Sequence, residues 1–327
     1  MPCTVNSGEA TDVNTYLAMD VGGSKYVVAI VNDEGQILNR RRGVWHALTA
    51  STILDQLLEV ARSLLDEAAE VPVACGITIP GLADPKRGVW VEASFSGIRN
   101  FAICEAVQTA LGIPTWCEND GQAYAMAEMT FGCCQGVRDF LFVNVSNGIG
   151  GSIVSDGKLL SGSRGFAGEF GHCNAVPSGR PCKCGQKGCL EMHAAGPGIA
   201  RTYEEMGGAP DATGSGVDCK VIAERARAGD RIAQAAFDEA GCCLGRVLAT
   251  AVNLLNPSRI VIGGGVSLAY DLFAPTLRHT LRKQIYAGAN PTVEILPTPL
   301  GYDAGLYSAA AIARMNHQIF EAEEESL

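Results

Sequence analysis

The chain contains no long hydrophobic segment, and its charged residues are mostly of one sign. No apolar run approaches the roughly 18 residues that a membrane-spanning helix needs, and residues 1–15 are polar and lack the apolar stretch of a secretory signal. Lysine and arginine number 25 against 35 aspartates and glutamates, which gives a formal net charge of −10. Because nucleic acids are anionic, this balance argues against nucleic acid as the main partner. We therefore expect a cytoplasmic protein with neither a membrane nor a nucleic-acid partner.

Cysteine is abundant, but its distribution does not suggest disulfide bonds. The 327 residues include 13 cysteines, an odd number, and several of them cluster in one segment. Without a secretory signal, this pattern fits a reducing compartment and one metal site. The apolar content of 47% is ample for a core, and the 39 glycines predict many tight turns. The length predicts one large or two moderate domains.

The densest group of chemically active side chains lies in the segment 168–191. One histidine and three thiols there form a tetrahedral ligand set for zinc: His172, Cys182, Cys184 and Cys189. Cys173 is adjacent to His172 in the sequence. Because two adjacent residues rarely both bind the same ion, we leave Cys173 out of the ligand set. Four protein ligands leave no position for a catalytic water, so the zinc would be structural. The alternative is a reduced, cysteine-rich surface loop without a metal.

Two strand–turn–strand patterns carry glycines that could expose backbone N–H groups to phosphate. In the first, a strand ends at Asp20 and the glycine-containing turn 22–25 leads into another strand. In the second, the strand 139–145 leads into the turn 146–151. Glycine permits the close backbone approach that an anion site needs, and Asp20 could hold a hydrated magnesium ion. The repetition suggests two related halves.

A polar pair, Asn119 and Asp120, stands where a predicted strand ends and a helix begins. Proteins with α/β sheets place ligands and catalytic groups at such strand ends. The other interpretation is that Asp120 serves only as the N-cap of the helix. The position of the pair does not decide between them.

Five motifs together resemble the ROK family of sugar kinases and sugar-responsive repressors. They are Asp20–Lys25, Glu118–Asp120, Gly148–Gly151, Gly168–His172 and Cys182–Glu191, and the match runs from Tyr16 to about Arg314. The resemblance implies an α/β protein with the actin-like ATPase (sugar kinase/Hsp70) fold, whose two lobes enclose a cleft for ATP. It also implies a homodimer.

The resemblance assigns roles to individual positions. Asp120 would be the general base that accepts the proton of the sugar hydroxyl. The sugar-binding residues would be Asn119, Glu169, His172, Glu191 and Gly81. The residues near ATP and Mg²⁺ would be Asp20, Gly22, Gly23, Ser24, Lys25, Asn147, Gly148, Gly264 and Gly265. Zinc would hold one ring nitrogen of His172 so that the other faces the sugar.

The implied domain organisation is discontinuous. Residues 1–15 would be a flexible tail, and 16–121 with the helix 304–316 would form the smaller, N-terminal lobe. Residues 122–303 would form the larger lobe that carries the zinc segment, and 317–327 would be a solvated acidic tail. We expect helices over 51–70 and 191–206, with Ser51 or Thr52 capping the first.

The chain departs from the family pattern at three places. At one of them, Gln122 replaces the small residue or asparagine that is common after Asp120 in the family. Ser146 and Asn147 stand where the family usually has Gly-Thr, and Ala93-Ser94 stands where family glucokinases usually have Ala-Asn. The favoured hypothesis is an ATP-dependent kinase for the 6-hydroxyl of a hexose or N-acylhexosamine, with glucose as the default and N-acetylmannosamine as the alternative. Fructose, allose, N-acetylglucosamine and polyphosphate as donor stay open. A catalytically weak sugar sensor and a ROK transcriptional regulator are the other classes, although the regulator would need a DNA-binding domain before Tyr16.

Overall fold

The computed structural model describes residues 13–93, 96–210, 216–286 and 290–324. The chain divides into two compact units, one reaching Ala127 and resuming at Asp303, the other spanning Glu128–Tyr302. The division falls inside the helix Asp120–Thr130, slightly later than the boundary expected after residue 121. Most of the expected N-terminal tail lies outside the described residues, and so does Ser94.

Unit 1 is built on a five-stranded mixed sheet. Its strands are β1 (Thr15–Val21), β2 (Lys25–Asn32), β3 (Ile37–Val44), β4 (Ala74–Ile79) and β8 (Thr115–Asn119), in the order β3-β2-β1-β4-β8. The first three form an antiparallel meander, and β4 and β8 continue the sheet in parallel with β1. A separate antiparallel sheet, which the sequence analysis did not anticipate, contains β5 (Leu82–Asp84), β6 (Val89–Ala93) and β7 (Ile98–Phe101).

Among the described residues of unit 1, four helices begin: α1 (Ala50–Asp66), α2 (Ile103–Leu111), α3 (Asp120–Thr130) and α9 (Ala304–Glu324). In α1, apolar residues at helical spacing are buried against the sheet: Ile53, Leu57, Ala61 and Leu64. Its N-cap is Thr49, whose hydroxyl accepts from Thr52 N at 3.2 Å, so the expected cap at Ser51 or Thr52 was wrong. Helix α9 continues to Glu324, beyond the end expected at residue 316, and its residues 318–324 are exposed.

Unit 2 repeats the sheet of unit 1. Its strands are β9 (Phe140–Val145), β10 (Ile149–Ser155), β11 (Lys158–Leu159), β12 (Arg259–Gly263) and β13 (Glu294–Pro297), in the order β11-β10-β9-β12-β13. An antiparallel meander again precedes two strands that join it in parallel. The two units thus share one strand topology, which agrees with the two related halves suggested by the glycine hairpins.

The helices of unit 2 are α4 (Glu191–Ala194), α5 (Gly196–Glu205), α6 (Cys219–Arg227), α7 (Arg231–Leu255) and α8 (Tyr270–Gln284). The helix expected over 191–206 is two helices, because the chain turns at Ala195 and Pro197 starts a new one. Small residues let α7 and α8 pack closely: a Cβ added at Gly241 or Gly245 would touch the α8 backbone. In the part of the chain that the structure describes, no helix is both long and apolar enough to cross a bilayer.

Helix α9 packs on β4 through a glycine. A Cβ added at Gly76 would overlap the carbonyl oxygen of Ala309 and the amide nitrogen of Ala313. The α9 residues that face the sheet are small and fully buried, including Ala309, Ala310 and Ala313. The helix therefore contacts the strand backbone directly.

Gly76→Ala should lower the free energy of unfolding by about 1–3 kcal/mol, because the added methyl group must push α9 away from the sheet. A urea titration followed by circular dichroism measures the change. Gly150→Ala is the matched control, since a Cβ there would meet no atom within 4 Å. Equal stability of the two variants would contradict the close packing of α9.

Candidate functional site

In unit 1, three parallel strands bring polar side chains to one level of the sheet. Asp20 on β1 pairs with Thr78 on β4, and Thr78 pairs with Glu118 on β8. Residues in register on adjacent strands point to the same face. Since β8 runs directly into α3, Asn119 and Asp120 follow at the same edge. The structure thus brings Asp20, Asn119 and Asp120 together within unit 1.

The Asp20 carboxylate is enclosed by protein. Thr78 Oγ1 donates to its Oδ1 at 2.8 Å, and a Cβ added at Gly305, in the first turn of α9, would overlap the carboxylate. Burial raises the pKa of Asp20, and the Thr78 hydrogen bond and the Lys25 charge only partly oppose it. A divalent cation would stabilise the charged form, as would the positive end of α9. These surroundings suit a carboxylate that holds Mg²⁺.

Asn119 caps helix α3. Its Oδ1 accepts from Gln122 N at 3.0 Å, and its Nδ2 donates to Gly81 O at 3.2 Å. The side-chain cap therefore comes from Asn119, which leaves Asp120 available for another role. Gly81 adopts a φ of 90° in close contact with Glu92, so its carbonyl has a fixed direction.

Two carboxyl groups beside this cap, those of Asp120 and Glu118, have pKa values near neutral pH. Burial raises the pKa of Asp120 to about 6, opposed by the Gly121 amide and assisted by the negative charge of Asp20. Burial likewise raises the pKa of Glu118 to about 7, although Asn119 N donates to it at 2.8 Å. The pKa of Tyr124, one turn after Asp120, is also raised by burial and then by the two aspartates. Asp120 can thus be ionised at pH 7 and still accept a proton readily.

A tryptophan that the sequence analysis missed supports the first glycine hairpin through a hydrogen bond to its backbone. Trp45 Nε1 donates to Gly22 O at 2.8 Å, and its ring lies 4.3 Å from that of Tyr26. Gly22 N donates to Lys25 O at 2.9 Å and closes the turn. The tip, residues 23–25, is exposed. It can therefore meet a ligand.

In unit 2, the four expected metal ligands come together. The ligand atoms of His172, Cys182, Cys184 and Cys189 all lie within 4.8 Å of one another. His172 Nδ1 lies 3.8 Å from Cys182 Sγ, and Cys184 Sγ lies 3.5 Å from Cys189 Sγ. Sulfurs bound tetrahedrally to zinc at about 2.3 Å lie about 3.8 Å apart, so these spacings fit the ion.

The neighbouring thiols affect the ionisation of Cys189. Burial, and then the neighbouring Cys184 and Cys182 sulfurs, raise the pKa of Cys189 to about 12. A thiolate there needs a positive charge beside it.

The metal loop is folded back by β-bridges between Asn174 and Cys189 and between Pro181 and Lys187. These bridges bring the early and late ligands of the segment together.

The imidazole of His172 is oriented between the thiols and a carboxylate. Nδ1 faces Cys182, while Nε2 lies 4.0 Å from Glu169 Oε2. The side chain is 38% exposed. A metal on Nδ1 would therefore leave Nε2 directed towards solvent and Glu169.

A second group of possible ligands, Glu128, Cys133 and Cys134, is of a different kind. The fully buried Glu128 carboxylate accepts from Cys133 N at 2.9 Å and from the Thr298 hydroxyl. Its oxygens already have protein donors, so this carboxylate is a structural anchor. The sequence analysis did not identify it, because Thr298 is remote along the chain.

Glu191 links the metal segment to the second glycine hairpin. It is the first residue of α4, and its Oε2 accepts from Ile149 N at 3.2 Å. A Cβ added at Gly148 would come within 2.6 Å of the same oxygen, so a larger residue there would displace the Glu191 carboxylate. Ser146 N donates to Gly148 O at 2.9 Å, which leaves Asn147 exposed at the tip.

The third glycine turn lies against the second hairpin. Gly264 has a φ of 83°, and a Cβ there would overlap the Asn144 side chain and the Val145 carbonyl. Beside the two turns is a cavity of about 440 Å³. Its polar lining includes Ser146, Asn147, Asp218, Lys220 and Glu224, and its apolar lining includes Cys219, Ala223, Val266, Leu268 and Ala269. The α6 residues were not expected, because nothing in their sequence marks a ligand site.

Comparisons with known proteins bear on the family and the fold of the chain. The ROK family model matches residues 16–316. The chain is 30% identical to a glucokinase of Streptomyces coelicolor over 91% of this chain and 97% of that one. It is 33% identical to an N-acetylmannosamine kinase of Shigella flexneri over 92% and 98%. A Streptomyces griseus ROK glucokinase solved with glucose and AMPPNP has a TM-score of 0.76 at 32% identity, covering 93% of this chain and 99% of that one. The predicted actin-like ATPase fold is confirmed.

Cys184→Ser should abolish metal binding, because replacing one thiolate of a four-ligand site removes most of its affinity for zinc. Metal analysis of the purified protein should find about one zinc per chain in the parent and little in the variant. Cys173→Ser is the control, since its exposed thiol is not among the four clustered ligands. Full zinc content in Cys184→Ser, or none in the parent, would refute the site.

Proposed function

The chain belongs to the ROK family, and we propose that it is an ATP-dependent sugar kinase that phosphorylates the 6-hydroxyl of a hexose or N-acylhexosamine. The observation that carries the proposal is Asp120, a buried carboxyl group whose pKa is raised to about 6 at the end of β8. The relatives of the chain that are named glucokinase and N-acetylmannosamine kinase support the same reaction class.

Asp120 is the proposed general base. As the 6-hydroxyl oxygen attacks the γ-phosphorus, its proton passes to an Asp120 oxygen while the bond to the ADP oxygen breaks. Capping by Asn119 fixes the first turn of α3, and Gly121 N donates to Asp120 Oδ1 at 2.8 Å. The other oxygen, Oδ2, is the proposed proton acceptor.

The glycine turns bind the donor phosphates in this proposal. Backbone N–H groups of Gly22, Gly23 and Ser24, with the Lys25 ammonium group, neutralise and orient them. Asn147 and Gly148 do the same from the second hairpin, where the exposed Asn147 amide can replace the usual threonine. Asp20 would hold the hydrated Mg²⁺ that offsets phosphate charge.

The cavity beside Gly264 and Gly265 is the proposed adenosine site. It offers apolar walls for a base, and the carboxylates of Asp218 and Glu224 can accept hydrogen bonds from ribose hydroxyls. The lining also includes Lys220 and Arg227, so its formal charges balance. We propose ATP as the donor because the apolar walls suit a nucleoside base, which polyphosphate lacks.

The sugar is bound by Asn119, Glu169, His172 and Glu191 in our proposal. Gly81 contributes through its carbonyl, which holds Asn119. Structural zinc on His172 Nδ1 fixes the imidazole so that Nε2 can hydrogen-bond a sugar hydroxyl. Glucose is the proposed substrate and N-acetylmannosamine the alternative. The family resemblance is also the basis for proposing a cytoplasmic homodimer.

A coupled assay of ADP release tests the reaction class. With ATP and Mg²⁺, we expect turnover with one member of a panel of glucose, mannose, N-acetylmannosamine, N-acetylglucosamine, fructose and allose. Polyphosphate should not replace ATP. Binding of a sugar without turnover by either donor would instead support the weak sugar sensor.

Asp120→Asn should lower kcat by about 100- to 10,000-fold, because the amide keeps the shape but cannot accept the proton. Sugar binding, measured by calorimetry, should persist. In the parent, kcat/KM should fall about tenfold per pH unit below about pH 6, where Asp120 becomes protonated. Asp156→Asn is the control, since Asp156 lies on an exposed turn with a φ of 52° that asparagine tolerates. Nearly normal turnover by Asp120→Asn would exclude it as the base.

A further inference from the structure

Arg180 occupies a central position that neither the proposed chemistry nor the metal site uses. It lies in the metal loop, two residues before Cys182, yet its side chain is only 10% exposed. Nη1 donates to Met192 O at 2.8 Å and to Gly198 O at 3.0 Å. Nη2 donates to Thr202 Oγ1 at 2.9 Å and to a Glu205 carboxylate oxygen at 2.7 Å. One guanidinium group thus ties the loop to both α4 and α5.

These contacts depend on the planar, forked shape of the guanidinium group. Helix α4 has only four residues, so its carbonyls have few partners within the helix. The guanidinium group supplies Met192 O with a donor, and its planar fork reaches Gly198 O and Thr202 on the next helix at the same time. Lysine has one charged nitrogen and could not satisfy these acceptors together.

The backbone of the loop joins the same contact region. Arg180 N lies 3.4 Å from Nε2 of the buried His193, and a Cβ added at Gly179 would touch that nitrogen. Burial, and then the Arg180 charge, lower the pKa of His193, so the neutral ring can accept this hydrogen bond. The metal loop therefore contacts α4 through both the backbone and the side chain of Arg180.

Glu191 is the residue before Met192, and two hydrogen bonds restrict its position. Arg180 fixes the α4 backbone at Met192, while Ile149 N fixes Oε2 of the carboxylate. Loss of the first contact would free the short helix to shift. The direction of the second Glu191 oxygen would then no longer be defined.

We propose that Arg180 is a positioning residue for the sugar site: it holds α4 so that Glu191 presents to the sugar the carboxylate oxygen that Ile149 does not hold. The inference rests on the proposed function, in which Glu191 binds the acceptor. Arg180 itself is not among the proposed ligands of the sugar or the metal.

The chain offers a matched control. Arg201 on α5 also donates to Glu205, at 2.9 Å, but it is 52% exposed and, among the described residues, forms no hydrogen bond or ion pair with α4. Removing Arg201 takes away a surface ion pair of the same chemical type, which contributes little. Removing Arg180 also takes away the donors to Met192, Gly198 and Thr202.

The test compares Arg180→Ala, Arg180→Lys and Arg201→Ala with the parent. Glucose and N-acetylmannosamine affinities come from calorimetry, kcat and both KM values from ADP release, and zinc from metal analysis. Arg180→Ala should weaken sugar binding by about tenfold or more with zinc retained and kcat changed less. Arg180→Lys should recover only part of the affinity, and millimolar guanidinium ion should improve sugar binding by Arg180→Ala. Arg201→Ala should stay within about twofold of the parent.

Parental sugar affinity in Arg180→Ala or Arg180→Lys would overturn the proposal, even if thermal stability fell. Loss of zinc from both Arg180 variants would also overturn it, because Arg180 would then act on the metal loop. If Arg180→Ala does not fold, Arg180→Lys carries the same comparison. A parent that binds sugar normally but transfers no phosphate refutes the kinase function alone, since the binding measurements still test Arg180.

Discussion

The packing of the last helix against the first strands is the constraint on which the catalytic half of unit 1 depends. Gly76 lets α9 contact β4 directly, and Gly305 places the start of α9 against the Asp20 carboxylate. This contact buries Asp20, and the charge of Asp20 in turn contributes to the raised pKa of Asp120. A segment some 280 residues away in sequence therefore contributes to the electrostatics of the site.

The repeated sheet shows how one topology can serve two tasks. Asp20 and Asn144 are the penultimate residues of β1 and β9, and they pair with Thr78 and Gly263 on the adjoining parallel strands. Unit 1 therefore has a carboxylate with a hydroxyl donor at this level, while unit 2 has a neutral amide beside a glycine turn. The first arrangement suits a cation, and the second allows the close approach of two backbone turns.

Local patterns predicted much of the site. The ligand spacing in the segment 168–191 identified the four residues that the fold clusters, and the glycine turns were found where strands end. Sequence reasoning failed where a role depends on tertiary contact. Arg180 resembles any loop arginine until its partners on α4 and α5 are known, and Trp45 gains its role only by reaching Gly22. The α6 lining of the cavity and the sheet β5–β7 were missed for the same reason, since short amphipathic segments do not reveal what they face.

One further consequence follows from the hydrogen bond between Glu191 and Ile149. In the proposed function, the same carboxylate holds the donor hairpin with one oxygen and the acceptor with the other. Occupancy of either substrate site would then stiffen the support of its neighbour, and the two ligands would bind with positive cooperativity. Linkage requires the effect to be mutual: the factor by which sugar tightens nucleotide binding must equal the factor by which nucleotide tightens sugar binding. Titrating each ligand in the presence of the other, with a non-hydrolysable nucleotide, measures both factors, and independent binding would show that the shared carboxylate transmits nothing.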